Sequence, residues 1–158
     1  MVKNVSLSKF LDIKKKLKKK GKKIVITNGC FDLLHPGHIR IFEYSKKLGD
    51  ILVVLVNSDK SVKKNKGKKR PIQKQKDRLE ILRAITWIDY IIIFNDKEPT
   101  HLYKKLLPDF MTKGSQYKNN RIAGAKEIKE SGGKVVLIKM KENYSTTSII
   151  KKVKKIWL

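Results

Sequence analysis

Two histidines three residues apart, His35 and His38, have the types and spacing that could do chemistry. They close the stretch Thr27-Asn28-Gly29-Cys30-Phe31-Asp32-Leu33-Leu34-His35-Pro36-Gly37-His38. A spacing of three puts both imidazoles on one face of a helix's first turn. Backbone N–H groups without helical partners and the positive end of the helix dipole lie there too, so the place suits a phosphate. Pro36 fits a first turn, where a missing N–H costs nothing. Gly37 has no side chain and would let a flat ligand approach the backbone. Imidazoles so spaced could instead ligate a metal or be ordinary structural histidines. Neither a third ligand cluster nor an HExxH pattern accompanies them. Cys30 shares the turn, but no neighbouring base activates its thiol, and it reads as a packing residue.

The elements that must position this turn are legible on both sides of it. Lys22–Ile26 is a β-branched run of strand length, and the stretch after His38 keeps apolar residues near helical spacing until Gly49. Asp50–Asn57 has an unbroken apolar centre, the pattern of a parallel strand buried on both faces. Ser58–Pro71 reads as a basic loop at the carboxyl end of that strand, where open α/β sheets bind ligands. Helix is expected over Ser6–Lys20, about Gln75–Thr86, Glu98–Leu107 and Ile122–Ser131. Further strands are expected at Tyr90–Phe94, Phe110–Lys113 and Val135–Ile138. Strands alternating with helices predict an α/β fold, a Rossmann-like five-stranded parallel sheet with helices on both faces. No repeat or linker interrupts the chain, so 1–158 is expected to be a single domain with 1–20 as a lead-in helix.

A second anion site is written near the end of the chain. Ser145 can cap a helix whose apolar face is Ile149, Ile150, Val153 and Ile156 or Trp157, and Tyr144-Ser145-Thr146-Thr147 places three hydroxyls in succession at its start. Plain capping explains one such hydroxyl but not three.

Composition bounds the reading from outside. The 158 residues carry 39 Lys+Arg against 14 Asp+Glu, a net charge of +25, with 40% hydrophobic content. That content is enough for a core, so the charge does not imply disorder. It fits a polyanionic partner, either nucleic acid or phosphorylated small molecules, and equally a solvated lysine surface. No aromatic-interleaved recognition motif supports a basic nucleic-acid-binding module. One cysteine excludes an internal disulfide and suits a reducing compartment. No apolar run reaches membrane-spanning length. A cytoplasmic protein with no membrane and no nucleic-acid partner is expected.

Read in order, a series of short segments resembles one family. These are Asn28-Gly29-Cys30-Phe31-Asp32, His35-Pro36-Gly37-His38, Leu48-Gly49-Asp50, Asn57-Ser58-Asp59, Lys66-Gly67 with Arg70-Pro71, Arg78, Ile88-Asp89-Tyr90, Pro108-Asp109, Lys113-Gly114 and Tyr144-Ser145-Thr146-Thr147. Together they resemble the HIGH-motif nucleotidyltransferases, and among them the stand-alone D-glycero-β-D-manno-heptose 1-phosphate adenylyltransferases. In other members the same domain is fused to a sugar kinase. Cytidylyltransferases acting on glycerol 3-phosphate are similar in the HxGH and STT motifs and fit less well elsewhere.

The resemblance implies transfer of AMP from ATP to a sugar 1-phosphate, yielding ADP-heptose for lipopolysaccharide core and pyrophosphate. It implies His35, His38 and Lys46 as the catalytic set. Thr27, Asn28, Gly29, Phe31, Gly37, Lys66, Arg70, Arg78, Lys113, Gly114, Tyr144, Ser145, Thr146 and Thr147 would hold nucleotide and phosphates. Cys30, Asp32, Asn57 and Asp59 would meet the acceptor, with Asp32 an orienting or metal-linked carboxylate. Mg²⁺ would be held mainly by phosphate oxygens rather than by protein ligands, and the protein would be a homodimer. Gln116 departs from the family's usual K-G-G-D-Y by replacing an acid, which bears on base or sugar selectivity.

Overall fold

The computed structural model describes residues 1–115, 117, 122–139 and 144–157, and Gln116 lies outside the described residues. Its elements are β1 (Lys3–Asn4), α1 (Leu7–Lys19), β2 (Ile24–Gly29), α2 (Pro36–Lys47), β3 (Ile51–Asn57), α3 (Asp59–Lys66), α4 (Gln75–Arg83), β4 (Tyr90–Phe94), α5 (Thr100–Leu106), β5 (Phe110–Gly114), α6 (Ala125–Glu130), β6 (Lys134–Ile138) and α7 (Thr146–Trp157). The sheet runs in the order β1-β4-β3-β2-β5-β6 and every pairing is parallel. From β2 the chain moves outward through β3 to β4, then returns to the other side of β2 for β5 and β6. The C-terminal ends of β2 and β5 therefore form the switch point at which α/β sheets open a crevice.

The sheet has six strands, not the expected five. Lys3–Asn4 adds an edge beyond β4, held by Lys3 N–H to Asp89 O and Val5 N–H to Ile91 O, both 3.0 Å. Two residues carry no periodicity, so local pattern could not reveal them. The basic stretch read as a loop also folds, its first half becoming α3. Ser58 caps that helix by accepting from Ser61 N–H at 3.2 Å, and Asp59 sits in its first turn. Only Val62 marks an apolar face among its lysines, too little for a stripe. β2 runs on to Gly29, because Thr27, Asn28 and Gly29 keep parallel register with Val54, Leu55 and Val56.

Alternation along β3 explains the layering. Leu52, Val54 and Val56 face a cluster with Phe31, Phe42, Leu79 and Leu82, which come from the His turn, α2 and α4. Val53 and Leu55 face the other, with Phe10, Leu102, Tyr103, Leu106 and Ile128 from α1, α5 and α6. All five β3 residues are fully buried, and each such side chain contributes roughly 1.5–3 kcal/mol.

The N-terminal edge of the sheet is clasped by aspartates. Asp50, Asp89 and Asp109 each stand immediately before a strand and accept a backbone amide of the neighbouring one. These amides are Lys23 N–H at 2.8 Å, Leu52 N–H at 2.7 Å and Ile24 N–H at 2.7 Å. Each also meets a lysine: Lys22 at 2.9 Å, Lys46 at 2.6 Å and Lys18 at 2.7 Å.

Candidate active site

The opposite, C-terminal edge opens a cleft of about 400 Å³. Its floor is the end of β2, fixed from beneath by hydroxyls. Thr27 Oγ1 donates to Thr112 O at 3.1 Å, and Thr112 shares a 2.6 Å hydrogen bond with Ser45 of α2. Glycine at 29 leaves room for the Phe31 ring, which folds back at φ 49°: a Cβ would stand 3.0 Å from that ring and push it by a few tenths of an ångström.

His35 is the N-cap of α2, extended at φ −144°, and its side chain makes no capping bond. Pro36 follows at the first helical position. One turn places the two imidazoles face to face, centroids 3.7 Å apart and planes 22° from parallel. Tyr144 lies on the far side of His35 at 6.3 Å, and Phe31 meets His38 edge-on at 5.2 Å. Both Nδ1 atoms are buried without a hydrogen-bond partner among the described residues, which leaves Nε2 as the nitrogen each ring can offer a ligand. Burial lowers the pKa of His35, and burial followed by the His35 neighbour pushes His38 down to about 3. The pair is neutral at pH 7, stacked and short of partners, a ready donor surface for an anion.

The start of α7 forms the facing wall. Ser145 Oγ accepts from Ser148 N–H at 3.0 Å, while Ser148 Oγ accepts from Ser145 N–H at 3.3 Å, a reciprocal cap. Thr146 Oγ1 reaches Leu33 O at 3.4 Å, joining this wall weakly to the His turn. The start of α7 thus lies at the cleft, which Tyr144, Ser145, Thr146 and Thr147 line, and a helix start carries amides without helical partners.

Cations close two further sides. Lys66 and Arg70 line the cleft from α3 and the segment after it, with Asn57 and Asn65 beside them. Lys113 Nζ donates to Asn28 O at 3.0 Å and lies 5.0 Å from the Tyr117 ring centre. Burial lowers the Lys113 pKa to about 8. The Cys30 thiol is pushed up by burial, against the pull of Lys66, Arg78 and Arg70, so it stays a thiol.

Sixteen expected residues therefore gather around one space: Thr27–Phe31, His35, His38, Asn57, Lys66, Arg70, Lys113, Gly114 and Tyr144–Thr147. Five others do not line it. Gly37 is buried in the first turn of α2. Lys46 is at the other end of that helix, bonded to Asp50 O and Asp89 at 2.6 Å each. The cause is helix length, since eleven positions along α2 from His35 carry Lys46 to the opposite edge of the sheet.

Asp32 is buried and fully engaged, accepting from Arg70 Nε, Ile72 N–H at 2.8 Å and Gln73 N–H at 2.8 Å. Burial works to raise its pKa, but those two amides and the Arg70 guanidinium hold it below the usual range. It anchors the 70–73 segment and so aims Arg70. Arg78, 1% exposed, donates to Cys30 O, to Asn57 O at 2.9 Å and to Asp59 at 2.9 Å. Asp59 also accepts from Gln75 N–H at 3.1 Å. Arg78 is a brace that ties the ends of β2 and β3 together; Asp59 neutralises it. A carboxylate or guanidinium in a sequence does not show which way it faces.

Sequence reading missed Asn65, Lys97, Glu98 and Pro99, which also line the cleft. The signal was present: Asn95–Pro99 is the segment after a buried parallel strand, at the end where ligands bind.

The family description Cytidylyltransferase-like matches residues 26–152. The bifunctional protein HldE of Haemophilus influenzae (strain PittGG) is 44% identical over 150 residues, 95% of this chain and 32% of the relative. HldE of Desulfatibacillum aliphaticivorans is 44% identical over 138 residues, 87% of this chain and 28% of that protein. The chain thus spans about a third of the length of the curated relatives it matches. Among solved structures, the lipopolysaccharide core biosynthesis protein of Thermoplasma volcanium GSS1 superposes with a TM-score of 0.61 at 31% identity, covering 79% of this chain and all of that one. Pantoate-beta-alanine ligase of Francisella tularensis shares the fold, with a TM-score of 0.63 at 15% identity over 98% of this chain and 77% of its own. Matched over most of its length by the family description and by these relatives, the chain belongs to the cytidylyltransferase-like nucleotidyltransferases.

Proposed function

We propose that this protein transfers AMP from ATP to D-glycero-β-D-manno-heptose 1-phosphate, giving ADP-heptose and pyrophosphate for lipopolysaccharide core synthesis. The observation that carries the reading is the stacked, partner-short His35–His38 pair in one cleft with the α7 start. The identity to bifunctional HldE over a third of that protein's length fits one of two fused activities, and the Thermoplasma neighbour's name, a lipopolysaccharide core biosynthesis protein, fits the same pathway.

A phosphate oxygen of the sugar 1-phosphate attacks the α-phosphorus in line. The bond from that phosphorus to the β-bridging oxygen breaks, and pyrophosphate leaves with the electron pair. No covalent enzyme intermediate is needed, so positioning and charge stabilisation do the work. In this reading the Nε2–H groups of His35 and His38 donate to oxygens on which charge grows. The α7 amides and the Ser145–Thr147 hydroxyls hold the β- and γ-phosphates, and Lys66 and Arg70 neutralise the remainder. Among the described residues no group of three or more His, Cys, Asp or Glu is placed to hold a metal, and Asp32 is already engaged. In this reading Mg²⁺ arrives with ATP and is held mainly by its phosphate oxygens.

Purified protein with Mg²⁺ and ATP should release pyrophosphate with heptose 1-phosphate faster than with CTP and glycerol 3-phosphate. Preference for CTP would transfer the assignment to a cytidylyltransferase. In the same reading the protein is a cytoplasmic homodimer; sedimentation of the purified chain checks the dimer.

A further inference from the structure

The cleft is not uniformly cationic, and one acid among its described lining residues has no part in the reading above. Among the described lining residues the single carboxylate is Glu98, set among Lys66, Arg70, Lys97 and Lys113. It lies in the segment that leads into α5, whose Leu102, Tyr103 and Leu106 belong to the core cluster on one face of the sheet. The His turn packs through Phe31 on the other face. The acid and the histidine pair thus reach the cleft from opposite sides of the sheet edge.

Carbonyls on both sides of Glu98 are pinned. Lys97 O accepts Asn65 Nδ2 at 2.8 Å, and Pro99 O accepts Leu102 N–H at 2.9 Å and Tyr103 N–H at 3.1 Å. The backbone is held while the side chain stays exposed. Asn28, which lines the same cleft, is fixed in one orientation, because the buried Tyr103 hydroxyl donates to Asn28 Oδ1 at 2.8 Å. That leaves the Asn28 amide NH₂ as the group it offers the cleft. Tyr103 in turn depends on Gly124, at φ +83°, where a Cβ would overlap the tyrosine ring.

A carboxylate only accepts hydrogen bonds and repels phosphate, so it serves a part of the ligand that is uncharged and donates. An amide NH₂ in the same cleft donates. Hydroxyls do both, and two adjacent hydroxyls match the two oxygens of a carboxylate. We propose that Glu98 and Asn28, the latter oriented by Tyr103, form a subsite that reads a vicinal diol on a substrate ring. The idea rests on the transferase reading for the identity of that ring: either the ribose of the nucleotide or the acceptor sugar carries the diol. Glu98 is then a specificity-determining residue and Tyr103 a positioning residue.

The test measures binding by calorimetry and turnover by pyrophosphate release for wild type, Glu98→Gln and Tyr103→Phe. Ligands are ATP, 2′-deoxy-ATP and 3′-deoxy-ATP, and heptose 1-phosphate with its ring-deoxy analogues. Loss of a hydrogen bond to a charged group lowers affinity by roughly ten- to a hundred-fold. Glu98→Gln should weaken one of the two parent ligands by that factor and raise its KM, with a smaller change in kcat. The matching deoxy analogue should bind wild type weakly and lose little further in the variant. Loss with the deoxynucleotides names the ribose, and loss with the deoxy sugars names the acceptor. Tyr103→Phe should shift the same ligand in the same direction. Because Tyr103 is buried, its variant counts only with an unchanged melt, and Glu98→Gln, at an exposed site, decides alone. Affinities within twofold of wild type for both parent ligands, or equal losses for parent and deoxy forms, overturn the subsite. A wild type that binds ATP yet transfers to no sugar phosphate defeats the transferase assignment instead, and the deoxynucleotide arm still judges Glu98.

Discussion

The two edges of the same sheet are built from opposite charge logic. At the N-terminal edge, Asp50, Asp89 and Asp109 satisfy strand amides and are matched by Lys22, Lys46 and Lys18. Charges there are spent within the fold. At the C-terminal edge, Lys66, Arg70 and Lys113 surround two neutral imidazoles whose Nδ1 atoms have no partner among the described residues. Charge and hydrogen-bonding capacity there are left open for a ligand. Both edges carry short segments on which the family resemblance rests, Leu48-Gly49-Asp50 and Pro108-Asp109 as much as His35-Pro36-Gly37-His38. Such a segment can therefore mark a strand clasp as readily as a reactive group, and only its edge of the sheet tells which.

The largest effect expected from this contrast is at His38. Removing one donor to transition-state charge typically lowers turnover by roughly 10²–10³. His38→Ala should do so while ATP affinity and the melting temperature change little. Full pyrophosphate release in this variant would erase the functional half of the comparison.

Asp89→Ala should show the mirror image. It strands the Leu52 amide and the Lys46 ammonium, at about 1–3 kcal/mol of stability, with KM values unchanged. A chemical-denaturation midpoint equal to wild type would remove the clasp.

Acid separates the edges next. The folded pKa of His38 lies below its ordinary value of 6.5, so the fold favours the neutral ring. The stability this gives is complete above about pH 6.5 and is lost as pH falls from there toward 3, on the order of 1–2 kcal/mol by pH 5. Melts of wild type against His38→Gln across pH 7 to 5 should diverge accordingly. A triphosphate acts the other way, stabilising the imidazolium, so ATP binding at pH 6 should take up protons, visible as a buffer-dependent calorimetric heat.

Lys46→Met should do least. A partly exposed ion pair is worth about 0–1 kcal/mol, and turnover should not move. A hundred-fold loss of turnover would return Lys46 to the active edge.

The contrast also shows where sequence reading succeeds. The unbroken apolar run of β3 is sufficient to declare a strand buried on both faces, and the structure alternates it between two core clusters. The HxGH turn announces a helix start because proline, glycine and a three-residue spacing are local constraints. Lys3–Asn4 has no such signature, since its strand exists only because β4 offers an edge. α3 was hidden because its single buried apolar side chain, Val62, gives no stripe.

What the sequence determined by itself is what depends on near neighbours along the chain: the period of β3, the caps of α2 and α7, and the stacking distance that an i, i+3 pair permits. The direction a charge faces was decided only by the tertiary structure. Asp32 and Arg78 sit within reach of the cleft in sequence, yet each is consumed by backbone groups from elements about 20 to 48 positions away. Glu98 had no motif, only its place after a buried strand, and reaches the cleft because β4 ends beside β3. A polar side chain goes to whichever unsatisfied partner the fold brings nearest, and that partner is a property of strand order, not of the residues beside it in the chain.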